Sequence, residues 1–343
     1  MQTLDSHNLD GTGVEVTRLG FGSAAIGNVF DAVSRDDAIE AVGTALDTGI
    51  RFFDTAPYYG YGLSEHRLGA ALAGVERSRF TISTKIGRIL GEGLPQDGDA
   101  LFSVPPDIGY RYDYSAAGVR RSLADSMARL KLDRIDVALI HDVCPTVHTD
   151  TGAFEGFFAQ AVECAWPVLA GLRADGVLGA IGFGINDWRT AERLAALTDP
   201  DVILLAGRYT LLEQEAAQSF LPMCLRRGIS VVIGGPFNSG IHAAGPEGNA
   251  MYDYLPAGPA ILDRVRRIDA VCRRHGVPLA AAALQFPFGH AAVAAVIPGM
   301  RSPDEVRTNT ILMEHLIPDL MWQDLWAVGL LADDAATPRG LTD

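Results

Sequence analysis

Short apolar runs recur eight times along this chain, each followed by a stretch that reads as helix. No other property of the sequence restricts the fold as much. The runs fall at 19–24, 51–56, 80–86, 136–142, 180–186, 202–207, 230–235 and 294–299. Helical stretches follow at 36–48, 64–73, 116–129, 156–175, 188–197, 216–227, 261–275 and 303–312. A run that is apolar at consecutive positions has no polar face to give to water, so it suits a parallel strand covered on both sides. Parallel neighbours need a crossover, usually a helix. Eight such units predict an α/β fold, a closed (β/α)8 barrel. No Ser/Gly linker interrupts the pattern, so residues 1–343 are expected to form one barrel domain.

A few segments depart from the repeat. Residues 15–18 suit a hairpin at the barrel bottom, 278–288 an extra helix, and 319–331 a terminal helix. Long inserts follow the third and seventh runs, at 87–115 and 236–260. Loops after strands surround the C-terminal mouth of such a barrel, so both inserts are expected to shape the active site. The tyrosines of Tyr110-Arg111-Tyr112-Asp113-Tyr114 suit either substrate contact or packing.

A hydrophobic content of 48% over 343 residues is enough for a sizeable core. The formal net charge of −14 disfavours nucleic acid and anionic membranes as partners. No apolar run approaches the roughly 20 residues needed to span a bilayer. The first seven residues lack the basic and apolar regions of a signal peptide, so a cytoplasmic location is expected. Cys144, Cys164, Cys224 and Cys272 are far apart, which signals neither a zinc site nor a disulfide framework, and no metal is expected. The oligomeric state is not set by any of these features.

Four residues stand out for chemistry. Asp54 ends the second apolar run, and Tyr59 follows it in the loop Thr55-Ala56-Pro57-Tyr58-Tyr59-Gly60. Lys85 ends the third run and His141 the fourth. A phenol with an ordinary pKa of about 10 is a poor base near neutrality. A buried Lys85 ammonium is expected to stabilise tyrosinate and lower that value. Asp54 would hold Lys85, since an unpaired buried charge is costly. His141 would hydrogen-bond the substrate oxygen and aim it at Tyr59. Taken singly, a loop tyrosine is usually surface and a strand-end histidine usually structural; the argument rests on the set. Gly20-Phe21-Gly22-Ser23-Ala24-Ala25 also matches the G-x-G-x-x-A of a dinucleotide fold, but Asp54 lies about 30 residues on, where about 20 is expected. A tight turn at a ligand explains the glycines better.

In order, spacing and context, Asp54, Tyr59, Lys85 and His141 resemble the active-site set of the aldo-keto reductase family, and the resemblance covers nearly the whole chain. It implies a nicotinamide dinucleotide lying across the barrel mouth, because no side chain donates hydride. The implied cofactor positions are Gly22, Ser23 and Asp54, with Asn186 for the carboxamide. Gly235, Pro236, Phe237, Asn238, Ser239 and Gly240 would run under the pyrophosphate. Gly299, Arg301, Ser302, Glu305 and Asn309 would hold the adenosine side. Many relatives carry an aromatic residue where Gly234 stands. NADPH-preferring members carry a lysine at the position of Gly299 and an arginine near Glu305, so NAD is expected to be preferred; Arg301 and Arg307 keep NADP open. The substrate would contact Tyr58, Tyr59 and His141.

The loops after runs two and seven, and the pair His141-Asp142, resemble the branch with D-threo-aldose 1-dehydrogenase, L-fucose dehydrogenase and pyridoxal 4-dehydrogenase. That likeness implies oxidation of a cyclic hemiacetal, an aldose or pyridoxal, to its lactone. The alternatives are an NADPH-dependent reductase of varied aldehydes and ketones, and a nucleotide-sensing subunit.

Overall fold

The computed structural model describes residues 5–95, 101–103, 107–247 and 250–338. The N-terminal residues 1–4, the C-terminal residues 339–343, and 96–100, 104–106 and 248–249 within the two inserts lie outside the described residues.

Eight parallel strands are present: β1 (Phe21–Gly22), β2 (Phe52–Asp54), β3 (Thr81–Ile86), β4 (Val137–His141), β5 (Ala180–Ile185), β6 (Val202–Ala206), β7 (Ser230–Gly234) and β8 (Val293–Ile297). They lie side by side in chain order from β1 to β8. Parallel bridges Leu19↔Val296 and Gly22↔Gly299 join the two ends and close the barrel. The backbones come very close there. A Cβ on Gly22 would lie 2.9 Å from the carbonyl oxygens of Ile297 and Pro298, so this glycine is required by closure itself.

The two-residue period of the strands sorts their side chains. On β2 and β4, Phe53, Ala138 and Ile140 face outward into the large core beneath the helices. Phe52, Val137 and Leu139 face inward and share a second core with Val202, Leu204, Val232 and Ile297. Leu9 and Val16, from a hairpin of Ser6–Asn8 and Glu15–Thr17, join that inner core at the barrel's lower end. The same alternation carries Asp54 and His141 to the inner face at the strands' C-terminal ends.

The helices begin where the sequence offers caps. Ser34, Ser115, Asp187 and Ser302 each accept a backbone amide hydrogen bond at the start of Arg35–Asp47, Ala116–Leu130, Trp188–Leu197 and Pro303–Glu314. The helix expected over 156–175 is longer and interrupted: Thr151–Gln160 passes through a π turn at Ala161–Ala165 into Trp166–Ala174. The extra helix is Leu279–Gln285 and the terminal one Asp319–Ala327. Among the described residues no helix is long and apolar enough to cross a membrane. Much of the first insert is structured, with Arg88–Glu92 and Ile108–Tyr112 pairing as antiparallel strands that rise from the end of β3.

Candidate active site

Asp54, Lys85 and His141 meet at the upper end of the barrel because β2, β3 and β4 are consecutive neighbours in register. Asp54 lies opposite Ser83, and Lys85 opposite Leu139. Lys85 Nζ donates to Asp54 Oδ2 at 2.6 Å and to the Thr55 carbonyl at 2.9 Å. Both side chains are almost fully buried. Breaking such a pair by removing one partner typically costs about 3–5 kcal/mol, because the other charge is stranded. Space for the lysine comes from β5: a Cβ on Gly184 would lie 3.1 Å from Lys85 Cε. Burial raises the Asp54 carboxyl above its ordinary value against the opposing pull of Lys85.

Tyr59 stands over this pair, with Lys85 Nζ 4.6 Å from its ring centroid. Its backbone is seated by two glycines. A Cβ on Gly27 would lie 2.8 Å from the Tyr59 carbonyl carbon, and Gly60, at φ 63°, packs directly on the Gly27 carbonyl. Tyr58 has different neighbours: Arg88 4.3 Å over its ring, and the rings of Tyr61, Phe102 and Tyr110 at 5.1–6.0 Å. Of the two adjacent tyrosines, Tyr59 is thus the one seated on the lysine.

The expected lowering of the Tyr59 phenol by Lys85 is not what the structure gives. Burial raises it well above 10, Asp54 and Asp142 add to the rise, and Arg88 opposes it. The main reason is desolvation: a buried phenolate loses its hydration, and the nearby carboxylates of Asp54 and Asp142 add to that cost.

His141 closes the group, its ring centroid 6.0 Å from that of Tyr59 and 6.3 Å from that of Tyr58. Its carbonyl accepts from the Tyr114 hydroxyl at 2.7 Å, which pins the end of β4. Burial, then the Arg88 and Lys85 cations, push its imidazole well below 6.5. Arg88, which the sequence reading did not single out, lies against it: Nη1 is 2.9 Å from His141 Nδ1 and Nη2 donates to Asp142 Oδ2 at 3.0 Å. A cation directly after the lysine strand, in the otherwise apolar Ile86-Gly87-Arg88-Ile89-Leu90, was the available signal.

Ser23 is fully buried; its hydroxyl donates to the Asp54 carbonyl at 2.6 Å and takes a bond from Ser64, so it braces Asp54 from behind. Asn186 is not the cap of the following helix, since Asp187 is. Its Oδ1 accepts from Thr146 at 2.9 Å and Cys144 at 3.2 Å, which leaves its amide nitrogen for a ligand.

The loop after β7 turns through positive φ at Gly235, Asn238, Ser239 and Gly240. The Asn238 side chain is used internally, accepting from Thr210 and donating to the Gly207 carbonyl. Among the described residues the backbone amides of Phe237 and Ser239 have no hydrogen-bond acceptor, which suits an anion. Ser239 Oγ accepts from the Tyr254 amide at 2.9 Å, and Tyr254 contacts Phe30 across the mouth.

On the far side, Ser302 caps its helix through the Glu305 amide at 3.2 Å, and Asn309 is buried in that helix. Above Gly299 a Cβ would meet nothing closer than 3.6 Å. Arg301 is held by Glu305 and Asp31. These groups fit a nicotinamide dinucleotide: free backbone donors for a pyrophosphate, an amide for a carboxamide, and open space beside a carboxylate. Among the described residues no cluster of His, Cys, Asp or Glu could hold a metal, and all four cysteines are free.

Comparison with known proteins identifies the family. The model of the aldo/keto reductase family matches residues 18–329. The chain is 39% identical over 344 residues to pyridoxal 4-dehydrogenase of Microbacterium luteolum, covering 97% of this chain and 99% of that one. It is 41% identical over 321 residues to D-threo-aldose 1-dehydrogenase of a Pseudomonas species, covering 91% and 94%. Among solved structures, the holo form of an aldo-keto reductase from Bacillus halodurans superposes with a TM-score of 0.73 at 22% identity, covering 98% of both chains. That last likeness speaks for the fold alone.

Proposed function

Because this chain belongs to the aldo/keto reductase family, and is an oxidoreductase, we propose that it oxidises a cyclic hemiacetal, an aldose or pyridoxal, to its lactone. The observation that carries the reading is the buried Lys85–Asp54 pair under Tyr59, with His141 beside it at the mouth of the barrel. The two relatives at 39% and 41% identity are named as dehydrogenases of pyridoxal and of an aldose. One barrel domain carries the whole site.

When bound, a nicotinamide dinucleotide supplies the hydride acceptor. Asn186 would hold its carboxamide, the 235–240 loop its pyrophosphate, and the Gly299–Asn309 segment its adenosine. The protein's own residues handle the proton. His141 is neutral, so it donates a hydrogen bond to the anomeric oxygen rather than exchanging a proton. Tyr59 takes the hydroxyl proton during oxidation and returns one in the reverse direction. Lys85 keeps a positive charge under the phenol, and Asp54 keeps Lys85 in place. Tyr58 and the insert rings around it form an aromatic wall for the rest of the substrate, whose binding energy orients the reacting C–H bond.

Initial rates on a panel of aldoses, pyridoxal and simple aldehydes, with oxidised and reduced NAD and NADP, test the proposal. Hemiacetal oxidation with NAD⁺ should exceed any aldehyde reduction. Efficient NADPH-dependent reduction of many aldehydes, with no hemiacetal oxidised, would overturn it.

A further inference from the structure

We propose that Arg88 is a positioning residue whose guanidinium locks His141 into the tautomer with its proton on Nε2. The proposal rests on the reading of His141 as the substrate's hydrogen-bond donor. A guanidinium carries only donors. With Arg88 Nη1 2.9 Å from His141 Nδ1, that nitrogen must present its lone pair, and the single ring proton belongs on Nε2.

A second contact supports the first. Asp142 Oδ2 lies 3.3 Å from His141 Nε2, a carboxylate on the side where the single ring proton is placed. Arg88 Nη2 takes this same oxygen as its partner at 3.0 Å and spreads its charge. The guanidinium is itself clamped. It is 3% exposed, sits 4.3 Å over the Tyr58 ring and 5.1 Å over the Tyr112 ring, and starts a strand whose register places Arg88 opposite Tyr112.

Among the described residues, the charged and titratable groups around the imidazole come from several elements. Arg88 and Lys85 are cations that oppose a second proton. Asp142 favours one but is neutralised by Arg88. Tyr58 and Tyr59 flank the ring, and Tyr114 bonds the backbone carbonyl with His148 3.4 Å behind its hydroxyl. Two cations against one neutralised anion, in a buried place, keep His141 neutral and single-tautomer. Proton exchange is then left to Tyr59 alone.

The test uses the full-length protein, its Arg88→Met and Arg88→Lys variants, and ¹⁵N-histidine spectra. His141→Gln serves only to assign the resonance. In the wild type, His141 should show an unprotonated Nδ1 and a protonated Nε2, with no titration between about pH 5 and 8, where a free histidine changes charge. In Arg88→Met it should titrate in that window and populate both tautomers. The kcat/KM profile should gain an inflection there, with a loss of about 100-fold at neutral pH, the scale of a misplaced reacting group.

Arg88→Lys keeps one donor for Nδ1 and should recover the tautomer and part of the activity. A merely structural arginine would lower activity without a new inflection. A wild-type His141 protonated on Nδ1, or a profile and spectrum unchanged in Arg88→Met, overturns the proposal. Should Arg88→Met fail to fold, the wild-type spectrum and Arg88→Lys decide. A locked tautomer in a protein that oxidises no hemiacetal sinks the dehydrogenase reading and leaves the Arg88 assignment standing.

Discussion

Glu305 binds Arg301 at two points: it accepts from the Arg301 backbone amide at 2.9 Å and from Arg301 Nε at 2.9 Å. Asp31 takes Arg301 Nη1 at 2.8 Å. The arginine that could have met a 2′-phosphate is thus already paired with two carboxylates, and the local balance is negative. A phosphate dianion there would meet net repulsion, reduced by solvent and salt at this exposed site. A ribose diol can hydrogen-bond a carboxylate instead. NAD⁺ should therefore give the higher kcat/KM, and Glu305→Arg should move the preference toward NADP⁺. Steady-state rates with both cofactors check this; a wild type that prefers NADP⁺ tenfold would reject it.

Tyr59→Phe should lower kcat by about 10²–10⁴-fold, the range of a general acid–base group. Cofactor affinity should change little, because the phenol sits over Lys85 and not in the 235–240 loop. Fluorescence titration with dinucleotide, beside turnover, separates the two. Near-normal turnover would hand the role to Tyr58.

The raised Tyr59 phenol sets the sign of the pH response. Oxidation needs tyrosinate as base, and below the pKa its fraction grows about tenfold per pH unit. Since burial and two carboxylates hold the phenol above 10, oxidation should climb through the alkaline range without a plateau at neutrality. Reduction uses the protonated phenol and should be flat there. Lys85→Met removes the nearest cation, so its residual oxidation should rise only at still higher pH. A wild-type profile that levels off below about pH 8 would contradict the direction of this shift.

Gly60→Ala should damage catalysis more than folding. The residue holds φ 63° and packs against the Gly27 carbonyl, so a methyl group there must push the Tyr59 turn away from the first loop. Overpacking of this kind costs about 1–3 kcal/mol. Denaturant unfolding should show that modest loss, while kcat falls by about 100-fold as Tyr59 leaves its place over Lys85. Equal activity in the folded fraction would dismiss the glycine pair as a seat for the tyrosine.

Asp54, Lys85 and His141 could be read from the chain because strands impose a period of two and barrels bring successive strand ends together. Tyr59 could be read from its distance along the loop from Asp54. Arg88 could not be read this way. Its partners His141 and Asp142 lie more than 50 residues away, and its stacking on Tyr112 depends on a hairpin that residues 87–115 do not announce by alternation. The direction of the Tyr59 shift was likewise hidden. Placing Tyr59 in a loop beside a lysine says nothing of how deeply the phenol is buried, and burial is the largest cause of its shift. Ser23 and Gly22 carry structural tasks that the chain does not announce, since Ser23 braces the Asp54 carbonyl and Gly22 lets the barrel close.

Barrels of this kind are often treated as modular, with chemistry on the strands and selectivity in exchangeable loops. Arg88 breaks that separation, because the group touching His141 Nδ1 belongs to the first insert and not to any barrel strand. Whatever remodels residues 88–112 to suit a new substrate also remodels the electrostatics of the histidine. Grafting this loop from a relative would carry a catalytic setting along with a binding wall. Evolution and protein engineering alike must change the two together.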